Sequence, residues 1–224
     1  MFKKSLRDML GGTAAGGGSQ SRGGGLATKA PPPAPRQSNG LDQFFHALRD
    51  TMGLSILDLG GASQANISFI TSLGHRIYSE DFLRTMEQAF GPEFYESQAD
   101  VGRVDAFLQQ TLSFPDGHFD GALVWDALQF MTPHLLQPTI DQLARVLRPN
   151  AYLLSFFHSD ERATSVPVYS YRIADPKTLH LSLRGYREPA QFFNNRALER
   201  LFQNFQSVKF FLARDHLREV IVKR

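Results

Sequence analysis

The sequence predicts an α/β fold in which strands run toward a nucleotide-sized ligand and helices cover the sheet. Three observations carry that prediction. Residues 54–81 read as an apolar strand, a small-residue turn, a helix and a second strand that ends in acid. Residues 112–131 repeat the strand-to-acid junction after a Pro-Asp-Gly turn. The chain then closes with an amphipathic helix and two further strands over residues 194–222.

Each element follows from local pattern. Residues 11–40 hold nine Gly and four Pro, with Leu26 the one large apolar side chain. Such a segment buries too little surface to offset its ordering entropy, so residues 1–40 are expected to form a disordered tail, with the folded domain spanning 41–224. Residues 1–10 carry Phe2, Leu6 and Met9 on one side of a basic turn, which reads as a weak anchor or a frayed terminus. Leu41, Phe44, Phe45 and Leu48 recur at helical spacing and place a helix over residues 41–52. Leu54, Ile56 and Leu57 form a short apolar run punctuated by Gly60 and Gly61, the signature of a buried strand entering a tight turn. Ser63 is the expected N-cap of the next helix, whose apolar face is Ile67, Phe69, Ile70 and Leu73, and Gly74 closes it. Residues 75–79 form a strand that delivers Glu80 and Asp81 about 20 residues beyond the glycine turn, where a nucleotide ribose presents its hydroxyls.

Further on, residues 82–90 continue as helix and Gly91-Pro92 ends it. A strand is expected over residues 103–107, carrying Asp105. Pro115-Asp116-Gly117 is a turn, because proline presets its torsion and glycine permits positive φ. Residues 119–124 form an apolar strand that exits into Trp125 and Asp126. Residues 138–147 are a helix, and Asn150, tolerant of left-handed torsions, turns the chain into a strong strand ending near Phe157. Residues 166–173 and 178–183 alternate like a hairpin around Asp175-Pro176, inside an irregular stretch, 159–189, rich in Tyr and Arg. A final helix over residues 194–205 and strands over 208–213 and 217–222, joined at Arg214-Asp215-His216, complete the chain.

The run Ile56-Leu57-Asp58-Leu59-Gly60-Gly61-Ala62-Ser63 resembles the first motif of class I S-adenosylmethionine-dependent methyltransferases, an acid followed by a glycine-rich turn. Ala62 and Gln64 stand where that family places two further glycines. Residues 114–120, Phe-Pro-Asp-Gly-His-Phe-Asp, resemble the family's segment entering the strand that floors the active site. The resemblance covers about residues 41–224. It implies a Rossmann-like, mostly parallel seven-stranded sheet with helices on both faces and an antiparallel last strand. It implies S-adenosylmethionine as cofactor, with residues 159–189 as a lid over the acceptor. It further implies that Asp58 and the backbone of Gly60, Gly61 and Ala62 meet the methionine portion. Glu80, or alternatively Asp81, would hold the ribose, Asp105 would contact adenine and Trp125 would border the methyl group. Asp126 either accepts a proton from a hydroxyl or amine acceptor or caps the following helix.

Two other functions fit the residues. The missing glycines, with no Asn-Pro-Pro-Tyr-like acceptor motif, also suit a catalytically inactive methyltransferase-like binding or scaffold protein. An NAD-type oxidoreductase fits less well, because the turn lacks Gly-x-Gly-x-x-Gly and the terminal hairpin is foreign to it. Composition narrows the rest. Six Lys/Arg against one Asp before residue 41 leave the remainder at net −3, so no nucleic-acid surface is expected there. With no Cys and scattered His, neither disulfides nor a metal site is expected, and a reducing, cytoplasmic setting is. No run reaches the roughly 20 apolar residues of a membrane span. The acceptor, small molecule or protein, is not readable, since fold does not fix substrate.

Overall fold

A computed structural model describes residues 35–212 and 215–224. The expected tail lies outside the described residues as far as position 34, as do Ala213, the end of the strand expected over 208–213, and Arg214 in the last turn. Pro35–Gln37 form a short strand, β1, and helix α1 begins at Asn39 and runs to Leu48, capped by Ser38, whose side chain accepts from the Leu41 amide. The fold therefore starts about six residues before the boundary expected at 41.

The central sheet is built from β2 (Ser55–Asp58), β3 (Arg76–Ser79), β4 (Phe119–Trp125), β5 (Leu147–His158), β8 (Ser207–Phe211) and β9 (Leu217–Lys223). Its order is β3-β2-β4-β5-β9-β8, with β3, β2, β4 and β5 parallel and β9 antiparallel between β5 and β8. The antiparallel last strand is as expected. The sheet has six strands rather than seven, because the strand expected over residues 103–107 is part of helix α4, Val101–Leu112. The physical reason lies in spacing and cap: Val104, Phe107, Leu108, Thr111 and Leu112 are the buried face, and Asp100 accepts from the Arg103 amide.

Side chains along each strand alternate between two hydrophobic clusters, one on each face of the sheet. In β4, Ala122 and Val124 join one cluster while Leu123 and Trp125 join the other; in β5, Leu153 and Phe157 oppose Leu154 and Phe156. Helices α3 (Phe82–Phe90), α4, α5 (Pro133–Val146) and α6 (Asn195–Leu201) cover the first face. Helix α1 and helix α2 (Gln64–Ser72) cover the second. Gly121 lets α1 lie close, since a Cβ there would stand 2.7 Å from Phe44 Cζ. Helix α5 begins at Pro133, earlier than expected, and carries Pro138 inside it. Asn150 takes φ 69°, the left-handed turn expected of it.

The expected hairpin is present as β6 (Val166–Asp175) and β7 (Thr178–Arg187), paired antiparallel, with β1 on the outer edge of β7 as a three-stranded sheet. Tyr171, Ile173 and Leu179 of this hairpin are buried in the cluster that holds α1 and Trp125. Among the described residues, no helix is long and apolar enough to cross a membrane.

Candidate functional site

At the C-terminal end of β2 the chain turns through Gly60 and Gly61 into α2, and a cavity of about 510 Å³ opens beside the turn. Gly60 to Ala65, Asp81, Tyr171, Arg172 and Arg184 line it. Gly61 has φ 88°, a torsion that favours glycine, and its amide donates to the Glu80 carbonyl at 3.0 Å. This is the crevice outside the carboxyl ends of parallel strands where α/β folds bind nucleotides.

Asp58 is fully buried and does not face that cavity. Its Oδ1 accepts from Trp125 Nε1 at 2.6 Å and from the Gly60 amide at 3.0 Å, and its Oδ2 accepts from Asn66 Nδ2 at 2.9 Å. Burial pushes its pKa up, and those three donors pull it back down. Asn66 also donates to the Tyr171 carbonyl at 3.1 Å and accepts from the Ile173 amide at 2.8 Å. Asp58 and Asn66 thus tie the glycine turn, the indole and the hairpin into one buried network.

Trp125 sits at the end of β4 with φ 55°, an uncommon torsion for a bulky residue. The indole stacks on Tyr171 (4.7 Å between centroids, 11° between planes) and on Phe156 (5.9 Å, 8°). Only glycine fits at position 60, because a Cβ there would lie 2.6 Å from Trp125 Cδ1 and Nε1.

The two candidate ribose acids part ways. Glu80 turns back to α3, accepting from Thr85 Oγ1 at 2.6 Å, and does not line the cavity. Asp81 lines it, lying 3.3 Å from where a Gly61 Cβ would be. Asp81 also caps α3 through the Arg84 amide at 3.2 Å and receives both terminal nitrogens of Arg184, at 3.2 and 3.3 Å. Asp105 is exposed on the outer face of α4, away from the cavity, and its expected adenine contact is corrected with the strand that was to carry it.

Asp126 follows Trp125 and is buried at 5% exposure. It makes no side-chain cap on the 3-10 turn Ala127–Phe130. Among the described residues its Oδ2 has no hydrogen-bond partner. Burial pushes its pKa up to about 7, opposed by the Tyr169 backbone, the neighbouring Tyr171 phenol and the more distant Arg184 guanidinium. A second cavity of about 10 Å³ lies against Asp126, with Asp81, Trp125, Tyr169, Tyr171 and Arg184 in its wall. Gly60, Asp81, Tyr171 and Arg184 line both spaces, so the two hairpin residues stand between the glycine turn and Asp126.

The structure thus places Gly60, Gly61, Ala62 and Asp81 in the wall of the larger cavity and Trp125 and Asp126 in the wall of the smaller space beside it, with Asp58, Glu80 and Asp105 lining neither. Sequence reading missed Asn66, Tyr171 and Arg184. The Tyr/Arg alternation of residues 166–187 was the available signal, but only the strand register shows which of those side chains turn inward.

Residues 57–155 match the family model described as a methyltransferase domain. That match bears out the resemblance read from the motifs. Among solved structures, similarity extends to 1,6-didemethyltoxoflavin-N1-methyltransferase of Burkholderia thailandensis, determined with 1,6-didemethyltoxoflavin and S-adenosylhomocysteine. It is 12% identical, with 83% of this chain and 77% of that one covered at a TM-score of 0.45. An S-adenosylmethionine-dependent methyltransferase from Methanosarcina mazei is 18% identical (78% and 93% covered, TM-score 0.43). One from Archaeoglobus fulgidus is 10% identical (82% and 91% covered, TM-score 0.48). No curated protein matches the chain.

Proposed function

We propose that the protein is an S-adenosylmethionine-dependent methyltransferase whose glycine turn and Asp81 hold the cofactor and whose Asp126 receives a proton from the acceptor. The observation that carries this reading is the cavity at the Gly60-Gly61 turn with the Asp81 carboxylate in its wall. A carboxylate at the end of the second strand suits a pair of ribose hydroxyls, and turn amides approach a ligand closely where no Cβ intervenes. Bound S-adenosylmethionine supplies a methyl group already activated on sulfur, which leaves the protein to position, to exclude water and to manage one proton. Trp125 and Tyr171 exclude water above Asp126, and Asp126 Oδ2 is free to take the proton. Asp58 acts indirectly, by fixing the Gly60 amide and the indole.

One observation favours the non-catalytic alternative: the indole packs against Gly60 so closely that the methionine side of the turn is filled. The test is thermal unfolding with S-adenosylmethionine and with S-adenosylhomocysteine. Either ligand at 100 times its Kd adds about 2.7 kcal/mol, a shift of several degrees, and Asp81→Ala abolishes it. No shift at millimolar ligand sinks the cofactor assignment. Shifts with both ligands but no methyl transfer to any acceptor would favour the binding module.

A further inference from the structure

We infer that the methyl acceptor is a small carboxylic acid, held by Arg184 and Arg187 in a third cavity that adjoins the space beside Asp126. The inference rests on the methyltransferase reading for the transfer itself, but this cavity shares only Arg184 with the one assigned to the cofactor. Its volume is about 280 Å³. Leu83 and Glu87, one helical turn apart on α3, form one wall. Val168 of β6 and Arg184 to Arg187 of β7 form the other. Leu83, Val168 and Arg184 also line the small space against Asp126, so a ligand in the third cavity has one end beside that carboxyl group.

The hairpin is shaped for this cavity. Val168 pairs with Gly185 and Tyr169 with Leu183, which leaves Arg184 as an extra residue in β7. A bulge of this kind re-aims a side chain, and the re-aimed guanidinium lines all three spaces. Opposite residues of an antiparallel pair point to the same side, so Gly185 faces the cavity together with Val168. A Cβ on Gly185 would meet nothing within 4 Å. A strand glycine with open space before it leaves room for a ligand. Arg187 is steadied from its other side, where its guanidinium lies 4.4 Å from the centre of the Phe94 ring and donates to Glu87. Two guanidiniums against the Glu87 carboxylate leave one positive charge in the wall. Each guanidinium carries five N–H donors in a planar fork, of which Asp81 takes two from Arg184 and Glu87 one from Arg187, so donors remain on both. A planar monoanion matches that charge and geometry, and a phosphate dianion exceeds the charge. Leu83 and Val168, both buried, give the ligand's carbon skeleton apolar contact.

The experiment titrates full-length protein calorimetrically, without cofactor, with benzoate, 3-phenylpropionate and hexanoate, with the amide of each, and with phenyl phosphate. We expect at least one carboxylate to bind saturably and its amide to bind at least about tenfold more weakly, because the amide lacks the charge that the guanidiniums recognise. Gly185→Leu fills the cavity at a position without the positive φ that would exclude a side chain. It should weaken the carboxylate at least about tenfold, as should Arg187→Ala, while Arg187→Lys, which keeps the charge, loses less. S-adenosylhomocysteine affinity, measured in parallel, should be the same in Gly185→Leu and Arg187→Ala as in wild type. The inference is overturned if no carboxylate binds, if an amide binds as tightly as its acid, if phenyl phosphate binds best, or if Gly185→Leu leaves the carboxylate affinity unchanged. Should Gly185→Leu not fold, Arg187→Ala decides in its place. Wild type that binds the carboxylate but not S-adenosylhomocysteine counts against the cofactor reading alone, and the reverse counts against this inference alone.

Discussion

A carboxyl group sealed under an aromatic stack, as Asp126 is, makes the folded state hold a proton that the unfolded chain has released. Its ordinary pKa is near 3.8 and burial raises it to about 7 in the folded protein. Between those two values the folded state binds more protons, so this group's contribution to stability is fully present below about pH 4 and is lost as pH rises through 7. Other groups titrate too, so the informative quantity is the difference between wild type and Asp126→Asn. Denaturant unfolding at pH 5 and pH 8 should show the variant gaining on wild type at the higher pH. An unchanged difference would mean that Asp126 is solvated. The neighbouring residue, Trp125, shows what the sequence could not say: its place after an apolar strand was legible, but its positive φ and its bond to Asp58 depend on the Asp58–Asn66 network closing around it.

Helix α4 and the β1–α1 junction are where elements departed from expectation. The strand expected over residues 103–107 took a short stretch by itself, while the longer local signal, five apolar or small positions at helical spacing behind the Asp100 cap, makes residues 101–112 a helix. Asp105→Pro should therefore cost about 3 kcal/mol by breaking an interior turn, and Asp105→Ala should leave S-adenosylhomocysteine affinity unchanged. A calorimetric titration of the Ala variant that loses affinity would return Asp105 to the site. The junction preceding α1 was illegible for a different reason. Arg36 donates to Asp215 at 2.6 Å, to Glu219 at 2.5 Å and to the Leu217 carbonyl at 3.0 Å, all far away in sequence. Glu219 is 2% exposed and also accepts from Ser38 Oγ at 2.9 Å and the Gly40 amide at 2.6 Å. Arg36→Ala leaves that carboxylate buried and unpaired, and an unfolding curve should show a loss of about 3–5 kcal/mol. A loss under 1 kcal/mol would mean that water replaces the guanidinium.

Across the whole molecule, strands β2, β3, β4 and β5 were legible because apolar runs, turn residues and acids mark their ends, and the antiparallel last strand was legible through the family resemblance. The order of strands in the sheet was not legible. The closed cleft was not, because it arises where the hairpin of residues 166–187 meets the end of the sheet, and that meeting is fixed by register and by Asn66. Its outermost latch is the Arg184–Asp81 pair, with both side chains about one-third exposed. Such a pair contributes at most about 1 kcal/mol, so a ligand can displace it. The Kd of S-adenosylhomocysteine, measured calorimetrically for wild type, Arg184→Ala and Asp81→Ala, tests directly whether Asp81 is the ribose contact under that latch. Removing Arg184 should tighten binding by up to about fivefold, and removing Asp81 should weaken it at least tenfold. If neither substitution changes the Kd, the cofactor does not bind at this glycine turn.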